Sequence, residues 1–129
     1  MIRERVARIR TWMGLYRFLK KFCRENEILL EKEKHLVGFV LPIRGNDWNS
    51  LIYLKPTLST RAKCMVLLHE LGHICIKRDD IFSFPYTIRE EMNSEADATD
   101  FMREVVLSTK IDLTHGDKVL LGILSVDNR

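Results

Sequence analysis

One short motif constrains the fold of this 129-residue chain more than any other feature: two histidines four residues apart in an apolar run. His69 and His73 enclose Glu70, and residues 66–76 read Val-Leu-Leu-His-Glu-Leu-Gly-His-Ile-Cys-Ile. Because residues four apart on an α-helix differ by only about 40° around its axis, both imidazoles project from one face. The apolar flanks predict that this helix packs in the interior, as a central element of the domain.

This pattern is typical of a metal-binding site. Two imidazoles on one helical face can share a divalent cation, and nitrogen ligands suit Zn²⁺. Glu70 would then lie beside the metal as a general base for a water that the metal acidifies. The sequence therefore predicts one zinc ion per chain. Gly72 costs about 1 kcal/mol inside a helix, which indicates that another part of the chain approaches its backbone.

A catalytic zinc site takes three protein ligands, so the third must come from another element. His35 and His115 lie outside the predicted helices. A predicted acidic helix over residues 89–108 offers several carboxylates, and spacing alone does not choose among them: Glu90, Glu91, Glu95, Asp97, Asp100 and Glu104.

The order of predicted elements favours an α+β domain spanning residues 1–129, with helices packed on a small antiparallel or mixed sheet. Pro42 and Pro56 each follow a predicted strand, and a turn over residues 44–47 would join the two strands as a hairpin. Ser59 or Thr60 is the expected cap of the central helix. The predicted elements are a helix over 3–30 bent near Gly14, strands over 36–41 and 50–55, and helices from 60 to about 77, over 89–108 and over 117–125, with a loop over 79–85.

Charge and composition limit the classes of protein. The net charge is +3 and basic residues concentrate in the first 24 positions, yet the same stretch has an apolar face, so a core-packing helix is favoured over a nucleic-acid-binding one. We divide the chain into this basic helical segment, residues 1–30, and a core over 36–108. No stretch approaches the roughly 20 apolar residues of a membrane span. The charged start lacks the features of a secretory signal, so we expect a cytoplasmic protein with no membrane partner.

Two blocks of sequence resemble the ImmA/IrrE family of bacterial and phage metallopeptidases. The first block comprises an apolar strand at 51–54, Leu-Ser-Thr-Arg at 58–61 and the apolar run that ends in His-Glu-Leu-Gly-His. In the second block the family has a glutamate followed by Ala at +3, Phe at +6, a small residue at +7 and an apolar pair at +10 and +11. Starting from Glu95, this chain has Ala98, Phe101, Val105 and Val106, and it departs from the family at +7 with Met102.

The resemblance implies a fold and a ligand set. It implies a minimal zincin-like domain of the gluzincin type, with residues 36–108 as the catalytic core. It also selects Glu95 as the third zinc ligand with His69 and His73. Further candidates are Tyr53, Tyr86 and His115 as donors to an oxyanion, and Asp97, Asp100 and Thr99 as residues that orient a zinc-bound imidazole.

The resemblance also implies a function: a zinc endopeptidase, with Glu70 activating the water, that cleaves a helix-turn-helix repressor of a mobile element or stress response. The substrate would then pair with the edge of the sheet, at strand 50–55. The alternative hypothesis is a protein-binding regulator that retains zinc and cleaves little. Direct binding of nucleic acid by the basic helix is the least favoured function.

Overall fold

A computed structural model describes residues 2–32, 38–43, 49–78 and 88–123 of the chain. Five helices and three strands occur in this described part. In chain order they are α1 (Ile2–Arg5), α2 (Trp12–Glu25), β1 (Ile28–Lys32), β2 (Gly38–Ile43), β3 (Asn49–Leu54), α3 (Thr60–Arg78), α4 (Ile88–Ser108) and α5 (His115–Leu120). The α+β class is confirmed. The predicted turn at 44–47, the loop at 79–85 and Tyr86 lie outside the described residues.

The N-terminal segment is not the single helix predicted over residues 3–30. Helix α1 ends at Arg5, and α2 begins only after Thr11, whose side-chain oxygen accepts a hydrogen bond from the Gly14 amide at 3.0 Å. The break therefore precedes Gly14, because Thr11 caps a new helix. Helix α2 stops at Glu25, and Glu27 adopts a left-handed φ of 58° that reverses the chain. Residues 28–32 then form a strand, so the basic helical segment is shorter than the predicted 1–30.

The three strands form a mixed sheet in the order β1-β3-β2. Strands β2 and β3 pair antiparallel, as the predicted hairpin requires, whereas β1 pairs with β3 in parallel. Pro42 lies within β2 and does not end it. A proline is tolerated there because β2 is an edge strand, where one side of the backbone needs no ladder hydrogen bond.

The position of β3 corrects the predicted path of a substrate. Strand β3 lies between the other two, and both of its backbone edges are used in pairing. It therefore cannot accept an extended peptide along residues 50–55 as predicted. The edges available within the described sheet belong to β1 and β2.

One hydrophobic core joins the sheet to the helices. Helix α3 is central, with Leu67, Leu68 and Leu71 fully buried, and it contacts α2, α4, β2 and β3. Leu15 and Leu19 of α2 belong to the same core, as do Ile52 of β3 and Val105 of α4. The motif helix is thus a buried, central element, as its apolar flanks predict. No described helix combines the length and the apolar composition needed to span a bilayer.

The last described helix differs from the one predicted over residues 117–125. Thr114 and Asp117 form a capping box that starts α5 at His115. The helix ends at Leu120, and Gly122 follows with a φ of 75°. The Ile123 amide donates to the Lys118 carbonyl at 2.9 Å and the Gly122 amide to that of Val119 at 3.0 Å, so a glycine-based cap stops the helix early.

Candidate metal centre

Helices α3 and α4 together carry the candidate site. Helix α3 begins where predicted, because the Ser59 hydroxyl accepts the Ala62 amide at 3.1 Å. The two helices run in opposite directions, since His73 contacts Glu95 while His69 lies near Thr99, four residues further along α4. The candidate ligands of each helix therefore lie on the face that contacts the other helix.

A glycine lets the two helices approach closely enough for this contact. A Cβ built at Gly72 would lie 2.8 Å from the Cα of Ala98, closer than real side-chain carbons approach. The backbone of α4 therefore fills the space that any other residue at position 72 would occupy. The expectation that another segment approaches Gly72 is confirmed, and that segment is the one that carries Glu95.

The three predicted ligands converge on one place. The Nε2 atom of His69 lies 3.1 Å from Oε2 of Glu95, and Nε2 of His73 lies 2.9 Å from Oε1. The two imidazole rings stand nearly perpendicular, with centroids 4.9 Å apart and 85° between their planes. Within the described ranges these residues form the one group of three or more His, Cys, Asp or Glu side chains whose ligand atoms all lie within 4.8 Å of one another.

The chemistry of this donor set fits a zinc ion. Two imidazole nitrogens and one glutamate oxygen are a known ligand set of catalytic zinc, which leaves one coordination position open. Ligands about 2.0–2.1 Å from a tetrahedral ion are about 3.3 Å from each other. The observed separations of 2.9 and 3.1 Å between nitrogen and oxygen are close to this value. His69, His73 and Glu95 are therefore the residues that would hold the metal.

A comparison with known protein families agrees with this site. The family model described as IrrE N-terminal-like domain, a peptidase family, matches residues 27–111, which is more than half of the chain. The chain belongs to this family. The resemblance to the ImmA/IrrE family is thereby confirmed, and the matched region of this IrrE-like chain contains all of α3 and α4. No curated protein and no solved structure matches the chain significantly.

In this IrrE-like chain, Glu70 lies next to the ligand group in a partly buried position. Burial raises the pKa of Glu70, the neighbouring His69 lowers it, and the negative charge of Glu95 raises it further. The net pKa of this carboxyl lies above its usual range. Its position beside the ligand group is the one that a general base at this site requires.

The other carboxylates of α4 have different surroundings. Asp97 is exposed, Asp100 accepts a hydrogen bond from Arg103 at 3.1 Å, and Glu104 lies 3.7 Å from Arg3. The side chains of Glu90 and Glu91 are outside the described part. Of the three candidates for orienting an imidazole, Thr99 is the one near a ligand, with its hydroxyl oxygen 3.5 Å from Nδ1 of His69. Asp97 and Asp100 are acids on the solvent face of the helix.

The structure gives no support to the described candidates for an oxyanion donor. Ile52 and Leu54 are buried against the helical layer, so Tyr53 lies between them on the opposite face of β3. His115 is exposed at the start of α5. That helix is joined to α3 at Arg61, about 12 Å along the axis from His69. Tyr86 lies outside the described residues.

The contact between Arg61 and Asp117 was not predicted from the sequence. Arg61 donates to Asp117 at 2.8 Å and so ties α5 to the first turn of α3. Asp117 is only 2% exposed. The signal that could have found it is the Thr-x-x-Asp spacing of a capping box at residues 114–117.

The cysteines described in the structure are not ligands. Cys64 is buried on the side of α3 that faces α2, and its thiol donates to the Trp12 carbonyl at 3.3 Å. Burial raises the pKa of Cys64 to about 12, which keeps the thiol protonated. Cys23 is also buried and is not part of a disulfide.

Proposed function

We propose that this protein is a zinc-dependent endopeptidase of the gluzincin type, built on a zincin-like fold. One observation carries the proposal: both imidazole Nε2 atoms face the same carboxylate, that of Glu95, and Glu70 follows directly after His69. Membership of a peptidase family supports the same conclusion.

Each residue of the site has a separate role in peptide hydrolysis. His69, His73 and Glu95 would hold the metal, and a zinc ion bound there would acidify a water molecule and polarise the carbonyl of the scissile peptide. Glu70 accepts the proton from the attacking water and delivers it to the leaving amine. Thr99 limits the rotation of the His69 ring through its contact with Nδ1.

The proposed substrate is a protein, and the resemblance to ImmA/IrrE peptidases favours a cytoplasmic helix-turn-helix repressor of a mobile element, such as a phage, or of a stress response. Cleavage would then release transcription. Of the two edge strands, β2 contacts α3, the helix that carries the histidines. An extended substrate segment would therefore pair with β2.

The substitution Glu70→Gln tests proteolysis separately from metal binding. The amide keeps the size of the side chain but cannot accept the proton, so cleavage should fall by about 10²- to 10⁴-fold. The measurement is co-expression with helix-turn-helix regulators encoded nearby, read by immunoblot for fragments. Wild-type protein should convert one regulator into two fragments, and Glu70→Gln should leave it intact.

Metal analysis of the same proteins supplies the control. Protein purified without chelator should hold one zinc per chain, Glu70→Gln should retain it, and His69→Ala should lose it. Glu95→Gln should also lose zinc, whereas Asp97→Asn, on an exposed acid two residues away, should not. If Glu70→Gln retains the full regulatory output in cells, proteolysis is not the function, and the zinc-retaining regulator replaces it.

A further inference from the structure

A groove of about 490 Å³ lies between α2 and β1. One wall is a stripe of three cations on α2, Arg17, Lys20 and Arg24, whose spacing of three and four residues places them on one helical face. The other wall is residues 28–30 of β1. We call this the α2–β1 groove. It lies at the β1 edge of the sheet, with β3 between it and β2.

The three cations of the α2–β1 groove are exposed, and among the described acids the charge of Glu25 acts on Arg24. Within the described part of the chain, neither Arg17 nor Arg24 forms an ion pair, and Lys20 stacks its ammonium over the ring of Tyr16 at 4.8 Å. The nearby Glu25 is held by Arg5 at 2.9 Å. A concave surface with charges of one sign concentrates the field and attracts acidic groups.

The opposite wall offers a strand edge. Within the described sheet β1 pairs with β3 alone, so its other backbone edge makes no ladder hydrogen bonds. Ile28 is buried, but Leu29 is 54% exposed on this short apolar stretch. Native proteins usually protect an apolar edge strand, because it readily pairs with another chain.

We propose that the α2–β1 groove binds an extended acidic segment of a partner protein. The segment adds to β1 as a further strand, and its carboxylates meet Arg17, Lys20 and Arg24. A protein fits better than nucleic acid, because the groove combines a strand edge with aliphatic side chains, and its described lining residues include no aromatic ring on which a base could stack. The three cations precede the family region, which starts at residue 27, and no residue that lines the groove belongs to the ligand group of the metal centre.

The test is binding of fluorescently labelled ten-residue peptides to the full-length protein, measured by anisotropy at low salt. The probe alternates Glu and Val. One control peptide alternates Lys and Val, a second carries N-methyl groups on alternate backbone amides of the acidic probe, and a third probe is a ten-nucleotide single strand of DNA. The variant is Arg17→Gln with Arg24→Gln. Its matched control is Arg8→Gln with Arg10→Gln, two exposed cations that do not line the groove.

The acidic probe should bind, and the groove variant should weaken its binding about tenfold while the control variant does not. N-methylation should weaken it as well, because strand addition needs the backbone amides. Three outcomes would overturn the proposal: no binding of the acidic probe, equal loss in both double variants, or DNA binding that is tighter than peptide binding and is lost in the groove variant. Unchanged circular dichroism establishes that both variants are folded.

Discussion

Asp117 shows how much a single buried carboxylate can contribute to this fold. Its oxygens accept hydrogen bonds from the Thr114 amide at 2.9 Å and from Arg61 at 2.8 Å, so it caps α5 and holds that helix against α3. Burial by itself would raise the pKa of Asp117, but the hydrogen bonds from Thr114 and Arg61 outweigh it, and the net pKa is lowered. The ionised form is therefore the one that the folded state stabilises.

The substitution Asp117→Asn should lower the free energy of unfolding by about 1–3 kcal/mol at pH 7, because it removes the ion pair and weakens the capping box. A lowered pKa in the folded state means that this stability is present above the unfolded value of about 3.9 and is lost as pH falls through the folded pKa. The gap between the wild type and the variant should therefore close in acid.

Urea denaturation of both proteins between pH 7 and pH 3 measures this difference. Asp112→Asn is the control, because Asp112 is an exposed acid in the segment before α5. It should change stability by less than about 0.5 kcal/mol at any pH. A difference between wild type and Asp117→Asn that stays constant in acid would show that the ionised carboxylate is not what stabilises the contact.

At the same scale, the sequence predicted part of the metal centre by geometry alone. The spacing of His69 and His73 determines that they share a face, since both lie on one helix. Glu95 belongs to a different helix, and six carboxylates of that helix had equal claim from spacing. The choice depends on how α4 crosses α3 at Gly72, which is a tertiary contact that no local pattern encodes. Family resemblance supplied that missing constraint.

At the scale of elements, the contact between α3 and α4 depends on the absence of a side chain. Because the Cα of Ala98 lies within 2.8 Å of a Cβ built at Gly72, Gly72→Ala must push the helices apart. We expect a loss of about 1–3 kcal/mol of stability. We also expect weaker zinc binding, because Glu95 moves away from the histidines.

Thermal unfolding and competition with a fluorescent zinc chelator measure these two effects. Gly116→Ala is the matched control, because a Cβ at that helical glycine meets only the Thr114 hydroxyl at 3.8 Å, an ordinary contact. It should leave zinc affinity unchanged. If Gly72→Ala retained the stability and the zinc affinity of the wild type, the two helices would not cross as closely as described.

The elements also differ in how far the sequence predicts them. Helices α3 and α4 have long patterns and clear ends, and their bounds agree with prediction within a residue or two. Strand β1 was missed because its residues continue the apolar spacing of α2, and the chain reverses at Glu27, a residue type that carries no turn signal. Thr11 was an available signal for the break before α2, as a capping residue three positions before Gly14.

At the scale of the whole molecule, the residues matched by the family model form only a part of the hydrophobic core. The match starts at residue 27, yet α2 contributes to the same buried cluster as α3 and α4, through Leu15, Leu19 and Cys23. The family region of this chain thus packs around a helix that precedes it.

The substitution Leu19→Ala should therefore destabilise the entire protein by about 2–5 kcal/mol, because it opens a cavity in the shared core. Leu107→Ala is the matched control, since Leu107 of α4 is 53% exposed. It should cost less than about 0.5 kcal/mol. Chemical denaturation followed by both tryptophan fluorescence and circular dichroism should show one coincident transition. If Leu19→Ala melts α2 alone and leaves a second transition unchanged, the helix is not part of the common core.

The order of the strands has a consequence for biosynthesis. Strand β3 is the last of the three to leave the ribosome, but it is the one with which both β1 and β2 pair. In the described sheet the two earlier strands do not pair with each other. Apolar residues that the fold later covers, such as Ile28 and Leu30, therefore stay unprotected until residue 54 has emerged. Nascent chains that stall before that point are the ones most exposed to aggregation and to capture by chaperones.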